Sequence, residues 1–168
     1  MKIDNKYRSQ EFMASLYEND FYGWVQTTVK QLRERDLTNL DWDNLIEEVE
    51  SLGKQEKREL VNRLIVLLMH LLKWEYQPEK RSKSWLVTIK IQRIEIAKHI
   101  KNNPSLKPYI ADAIINAYEI AILEAVKETE LSFKTFPSSC PYSWEEIEND
   151  NFFPGIDYDS EIFLKSSS

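Results

Sequence analysis

Between Gly53 and Pro78 the chain reads KQEKRELVNRLIVLLMHLLKWEYQ, an unbroken run without a glycine or a proline. As a helix this run would extend about 36 Å, and from Leu60 onward it would be apolar on most sides. A helix of that kind is stable in water only when other helices surround it. The rest of the chain has to supply them. Only three glycines occur in 168 residues, which argues against the tight turns of a β-rich fold and against phosphate-cradling loops.

The partners are legible on either side. A helix is predicted from Asp20, a suitable N-cap, through FYGWVQTTVKQLRERD, with Phe21, Trp24, Val25, Thr28 and Leu32 on one side. Another begins near Asp41 or Asp43, where Trp42, Leu45, Ile46, Val49 and Leu52 form a helical stripe, and Gly53 is expected to interrupt or end it. The long run follows to about Tyr76. Further helices are predicted over Ser84–Lys101 and Pro108–Leu131, with a short one near Ser143–Asn149. The expectation is an all-α fold: a bundle of about four main helices with an irregular C-terminal segment. It forms a single domain over residues 1–168, with 156–168 as a tail.

Charge is unevenly spread. The net charge of −6 divides into −5 over residues 1–53, +7 over 54–101 and −8 over 102–168. A basic middle third suggests either a nucleic-acid surface or pairing with the acidic flanks, and the overall negative balance favours pairing. One cysteine, Cys140, and two histidines make neither a disulfide nor a zinc set. No apolar run reaches the length of a membrane span, and the first residues lack a secretory h-region, so the expected setting is the cytoplasm, with no membrane association.

On a helical wheel, Arg63 and Gln77 fall on either side of His70, each within about 20° of it, and Lys73 lies about 60° away. These four form a narrow polar stripe on an otherwise apolar helix, and such a line must face solvent, a cleft, a partner or buried counter-groups. Arg93 sits at the centre of the apolar face made by Leu86, Ile89, Ile96, Ala97 and Ile100. A guanidinium there needs a partner. The expectation is a structural polar network in which Glu48 or Glu50 meets Arg93 or Arg63.

The strings DFYGW, NLIEEVESLGKQEKREL, NRLIVLLMHLLKW, YQPEKRSKSW and TFPSSCPYSWEEI occur in this order. In them the chain resembles the domain of unknown function 29 family, small helical bacterial proteins common in cyanobacteria, over about residues 15–155. The resemblance implies an all-α fold and a cytoplasmic setting, and it carries no particular activity. Its pattern falls on Glu47, Glu48, Glu50, Arg63, His70, Lys73, Gln77, Arg81, Ser84 and Trp85.

Several chemistries have no motif here. The residues three before His70 and His99 are Leu67 and Ile96, so the Glu-x-x-His pairs of a dinuclear metal bundle are absent. Glu47, Glu48 and Glu50 could hold a hard cation such as magnesium only with a carboxylate from elsewhere, and no metal or cofactor is expected. Arg63 and His70, separated by six residues, resemble the arginine–histidine pair of metal-independent HEPN-type ribonucleases, in which histidine acts as acid or base and arginine stabilises phosphate charge. In KWEYQPEKRSKSW, Lys73, Trp74, Gln77, Arg81 and Trp85 combine aromatic faces with positive charge. Residues 73–85 are therefore the candidate binding segment, for nucleic acid if the rings are exposed. The leading expectation is a protein-interaction or regulatory module, bound to a protein partner or dimeric, with the exposed edge of the His70 helix as its contact. The ribonuclease using Arg63 and His70 is the alternative.

Overall fold

The computed structural model describes residues 2–155, and among these there is no strand. The helices are α1 (Lys2–Asn19), α2 (Phe21–Glu34), α3 (Trp42–Tyr76), α4 (Lys83–Asn102), α5 (Ile110–Thr129) and α6 (Trp144–Glu148), with short 3-10 turns between several of them. The all-α fold with an irregular C-terminal segment is thus what forms; the expected tail lies outside the described residues. The chain makes two compact units, Met1–Lys54 and Gln55–Ser168, and α3 contributes residues to both.

Three helix boundaries differ from expectation. Helix α1 precedes the first predicted helix, in a stretch whose few apolar residues make no long stripe. Gly53 does not end a helix: α3 is continuous over 35 residues. One helix-interior glycine costs only about 1 kcal/mol relative to alanine, and Lys54 pairs with Glu50 beside it at 3.6 Å. Helix α5 begins at Ile110 rather than Pro108, because Pro104 and Pro108 hold the preceding residues in a 3-10 turn.

In the first unit Trp24 is buried and donates its indole N–H to Asp41 at 3.2 Å. Tyr17 packs edge-on against Phe21 and Trp24, and its hydroxyl donates to Glu48 at 2.7 Å. Asp20 caps α2 by accepting from the Gly23 amide at 2.9 Å. A Cβ at Gly23 would stand 2.5 Å from that carboxylate, so a larger residue here would make the Asp20 side chain shift.

The second unit is built around the C-terminal part of α3. Leu60, Leu64, Leu67, Leu68, Leu71 and Leu72 are wholly buried. Against them lie Ile89, Ile96 and Ile100 of α4, and Ala113, Ala117, Ala121 and Ala125 of α5. Those alanines recur every fourth residue, and their small side chains make one ridge along which α5 packs against its neighbours. At the C-terminal end, Ser143 and Glu146 form a reciprocal capping box on α6. Ile147 and Phe153 from this segment then close the core.

Candidate functional site

The polar stripe of α3 faces buried counter-groups. Lys73 is buried, forms an ion pair with Glu128 of α5, and lies over the Trp85 ring at 4.4 Å. Gln77, one turn further on, donates to the Thr129 carbonyl at 3.1 Å, while the Thr129 hydroxyl donates to the Ala125 carbonyl at 2.6 Å. Arg81 returns to α3: its Nε donates to the Trp74 carbonyl at 2.8 Å, and its guanidinium lies 5.2 Å from the centre of the Trp74 ring. The other end of the same guanidinium reaches the Pro154 carbonyl at 3.4 Å. Trp74 itself is buried against Phe153, with ring centroids 5.1 Å apart. Residues 73–85 therefore join the end of α3 to α5 and to the C-terminal segment.

The condition set for a nucleic-acid surface on this segment, exposed rings beside positive charge, is not met. Lys73, Trp74 and Gln77 are buried, and Arg81 and Trp85 are half-buried with their functional groups occupied. Aromatic rings also accept side-chain cations within a core. Interleaved basic and aromatic residues therefore do not by themselves indicate a surface.

Arg63 and His70 are not brought into contact. The helix between them separates them by about 10 Å along its axis. Arg63 is held by Glu59 at 2.7 Å and Glu95 at 3.8 Å. His70 is half-buried, and its Nδ1 lies 2.8 Å from the Val66 carbonyl. A carbonyl oxygen only accepts, so Nδ1 carries the hydrogen and Nε2 is left as the acceptor. Burial lowers the His70 pKa below its ordinary value, outweighing the Val66 carbonyl, which raises it, while Lys73 and Glu128 act in opposite directions. The unfolded chain then binds this proton more tightly than the folded one. His70 contributes stability above about pH 6.5 that is lost as the pH falls. The melting temperature should accordingly drop between about pH 7.5 and 5.5, and a His70→Gln variant should lose part of that drop. An identical pH dependence in both proteins would remove His70 as its source.

The expected network of Glu48 or Glu50 with Arg93 is also corrected. Arg93 is buried, as the wheel placed it, yet its partners are backbone carbonyls: Ile147 at 2.8 Å, Phe152 at 2.8 Å and Glu146 at 3.3 Å. Burial holds its guanidinium down at about 10. Glu48 instead accepts from Tyr17, and Glu50 pairs with Lys54. Among the described residues no three His, Cys, Asp or Glu side chains are placed to hold a metal ion. None of the described helices is long and apolar enough to cross a membrane.

Sequence reasoning missed Glu128 as the partner of Lys73, and missed Glu75, which accepts from the buried Tyr142 hydroxyl at 2.6 Å. Burial raises the Tyr142 pKa, and Glu75 raises it further. The only available signal was the charge imbalance between the middle and final thirds, which is too coarse to choose a residue. The second surprise lies in the first unit. Trp42, Ile46, Val49 and Leu52, which the periodicity reads as core, are 48–62% exposed.

The model for the domain of unknown function DUF29 matches residues 16–153, nearly the whole chain, and the protein belongs to that family. No curated protein matches it. No solved structure matches it either.

Proposed function

We propose that this DUF29-family protein is a helical interaction module whose contact surface is the start of α3. The supporting observation is the exposed line of Trp42, Ile46, Val49 and Leu52 in consecutive turns of one helix. Contiguous apolar surface of this kind is uncommon on a monomer and marks a place where another surface docks. The contact thus belongs to the His70 helix, but several turns before the stripe that contains His70.

The charge order favours a second copy as the partner. Asp43, Glu47, Glu50 and Lys54 follow at i, i+4, i+7 and i+11, so they share one side of the helix beside the apolar line. Two copies crossing antiparallel near Glu50 would set Glu47 of each beside Lys54 of the other, and Val49 over Gly53. A Cβ at Gly53 would meet nothing within 4 Å in this chain, so its own fold does not call for glycine there, whereas a close helix crossing does. The expected setting is the cytoplasm, a reading supported by a lone half-buried thiol, Cys140.

The test is sedimentation across a roughly hundredfold range of concentration. Wild type should self-associate, and Ile46→Glu with Val49→Glu should weaken that by roughly tenfold or more with unchanged helical circular dichroism. Wild type that stays monomeric throughout would exclude the second copy and leave a different protein as the partner. The ribonuclease reading has less support, because Arg63 is occupied by two carboxylates and His70 stands about two turns away.

A further inference from the structure

The second unit carries an open groove of about 1160 Å³ between α4, α5 and α6. Ile100 of α4 and Ile110, Ile114 and Ile115 of α5 make its walls apolar, and Ile115 is 61% exposed. Lys101 and Lys107 also line it, both exposed and neither in an ion pair among the described residues. Glu148 is the one carboxylate in the lining. It belongs to α6, whose Glu146 and Ile147 carbonyls accept from Arg93, and Arg93 stands about 12 Å before Lys101 along α4. The charges are therefore separated: the end of the groove at Lys101 is positive and has no lining carboxylate to answer it.

Size and backbone chemistry decide what can lie there. Small-molecule sites run from about 300 to 1000 Å³ and enclose most of their ligand, whereas this groove is larger and open. A single hydrocarbon chain would leave most of it to water. The walls are helices whose amides and carbonyls are spent internally, so an extended peptide would leave its own backbone unpaired. A helix brings its hydrogen bonds with it. With side chains it is about 10 Å across and rises about 1.5 Å per residue, so roughly ten residues occupy the space. Ala97 of α4 and Ala111 of α5 are exposed and line the groove, and side chains this small let another helix come close.

We propose that this groove docks an amphipathic helix of a partner protein, its apolar side against Ile110, Ile114 and Ile115 and its acidic residues against Lys101 and Lys107. The lysines set the sign of the partner's charge: carboxylates beside them are attracted, and a basic helix is turned away. Each ammonium ends a flexible four-carbon stem at the rim, so it can follow a carboxylate on the docked helix. The site uses no residue of the contact at the start of α3 and stands or falls separately from it.

Two synthetic peptides of roughly eighteen residues, long enough to form a helix, are the probes, read by titration calorimetry on the full chain. Both carry leucine along one side. In their middle turns, where the helix dipole favours neither sign, one has glutamates and the other has lysines at the same positions. The glutamate peptide should bind roughly tenfold or more tightly than the lysine peptide, and added salt should weaken it. Ala111→Trp should fill the groove, keep the wild-type melting temperature and weaken glutamate-peptide binding by roughly tenfold or more. Lys101→Glu combined with Lys107→Glu, both at exposed positions, should reverse the order of the two peptides. Four results would overturn the proposal: no binding of the glutamate peptide, equal binding of both peptides, undiminished binding by folded Ala111→Trp, or an unchanged order in the double variant. Loss of self-association in Ala111→Trp, with neither peptide bound by wild type, would overturn it in favour of a second copy of this chain. Decanoate bound by wild type in place of both peptides would overturn it in favour of a hydrocarbon chain.

Discussion

Replacing Arg93 with alanine should lower the unfolding free energy by about 3–5 kcal/mol, a large share of what a domain this size possesses. The side chain leaves α4 and donates to the carbonyls of Ile147, Glu146 and Phe152. Hydrogen bonds to a charged donor contribute about 1.5–3 kcal/mol each, and the carbonyls left behind would be partly buried without partners. These three bonds also substitute for regular structure. Between α6 and Phe153 the segment makes only isolated turn bonds, such as that of the Phe152 amide to Asn149. It is held chiefly by Arg93 and the packing of Ile147 and Phe153, with Arg81 reaching the Pro154 carbonyl just beyond. Arg93→Lys should recover only a minor part, because one ammonium cannot present the planar fork that reaches three carbonyls in different directions. Urea unfolding gives the magnitude. Hydrogen exchange should show the amides of residues 147–153 losing protection before those of α5. Exchange that rises equally everywhere would mean that Arg93 stabilises the whole unit through packing and not this segment through hydrogen bonds.

The same residue shows where sequence reasoning reaches and where it stops. Periodicity placed Arg93 in the middle of a buried face, and it is buried there. The inference that a buried cation needs a partner also holds. The kind of partner was misread, because every residue has a carbonyl and no residue type advertises one that is free. A short helix near residues 143–149 followed by irregular backbone was foreseeable, but the aim of its carbonyls was not. The 73–85 segment shows a related gap. The pattern left solvent, a cleft, a partner and buried counter-groups all open for Lys73 and Gln77. The long stems in fact pack, while the heads of Lys73, Gln77 and Arg81 are met by Glu128, Thr129 and Trp74. The contacts of Lys73 and Gln77 join residues more than fifty positions apart, beyond the range of any helical wheel. Trp42, Ile46 and Val49 show the converse. A stripe declares that a helix has an apolar side, and it does not declare whether the covering surface belongs to the same chain.

Lys73 separates the two contributions a buried charge can make. Lys73→Ala should cost about 2–3 kcal/mol, because it removes a fully packed stem and leaves a cavity between α3, α5 and Trp85. Lys73→Met should cost less than about 1 kcal/mol, since methionine fills nearly the same volume, keeps contact with the Trp85 ring and needs no counter-charge. The asymmetry follows from exposure. Glu128 is 43% exposed at its side chain, so on losing its partner it turns to water at little cost, whereas Lys73 has nowhere to go. Glu128→Gln should therefore be worse than Lys73→Met, leaving a buried ammonium with an amide oxygen in place of a carboxylate. Combining Glu128→Gln with Lys73→Met should restore stability to near that of Lys73→Met alone, with the interaction read from a double-mutant cycle in urea. If Lys73→Met proves as damaging as Lys73→Ala, the ion pair with Glu128 and the cation over Trp85 supply the stabilisation, and the stem does not. The buried lysine would then be a source of strength at this end of α3 and not merely a charge that the fold tolerates.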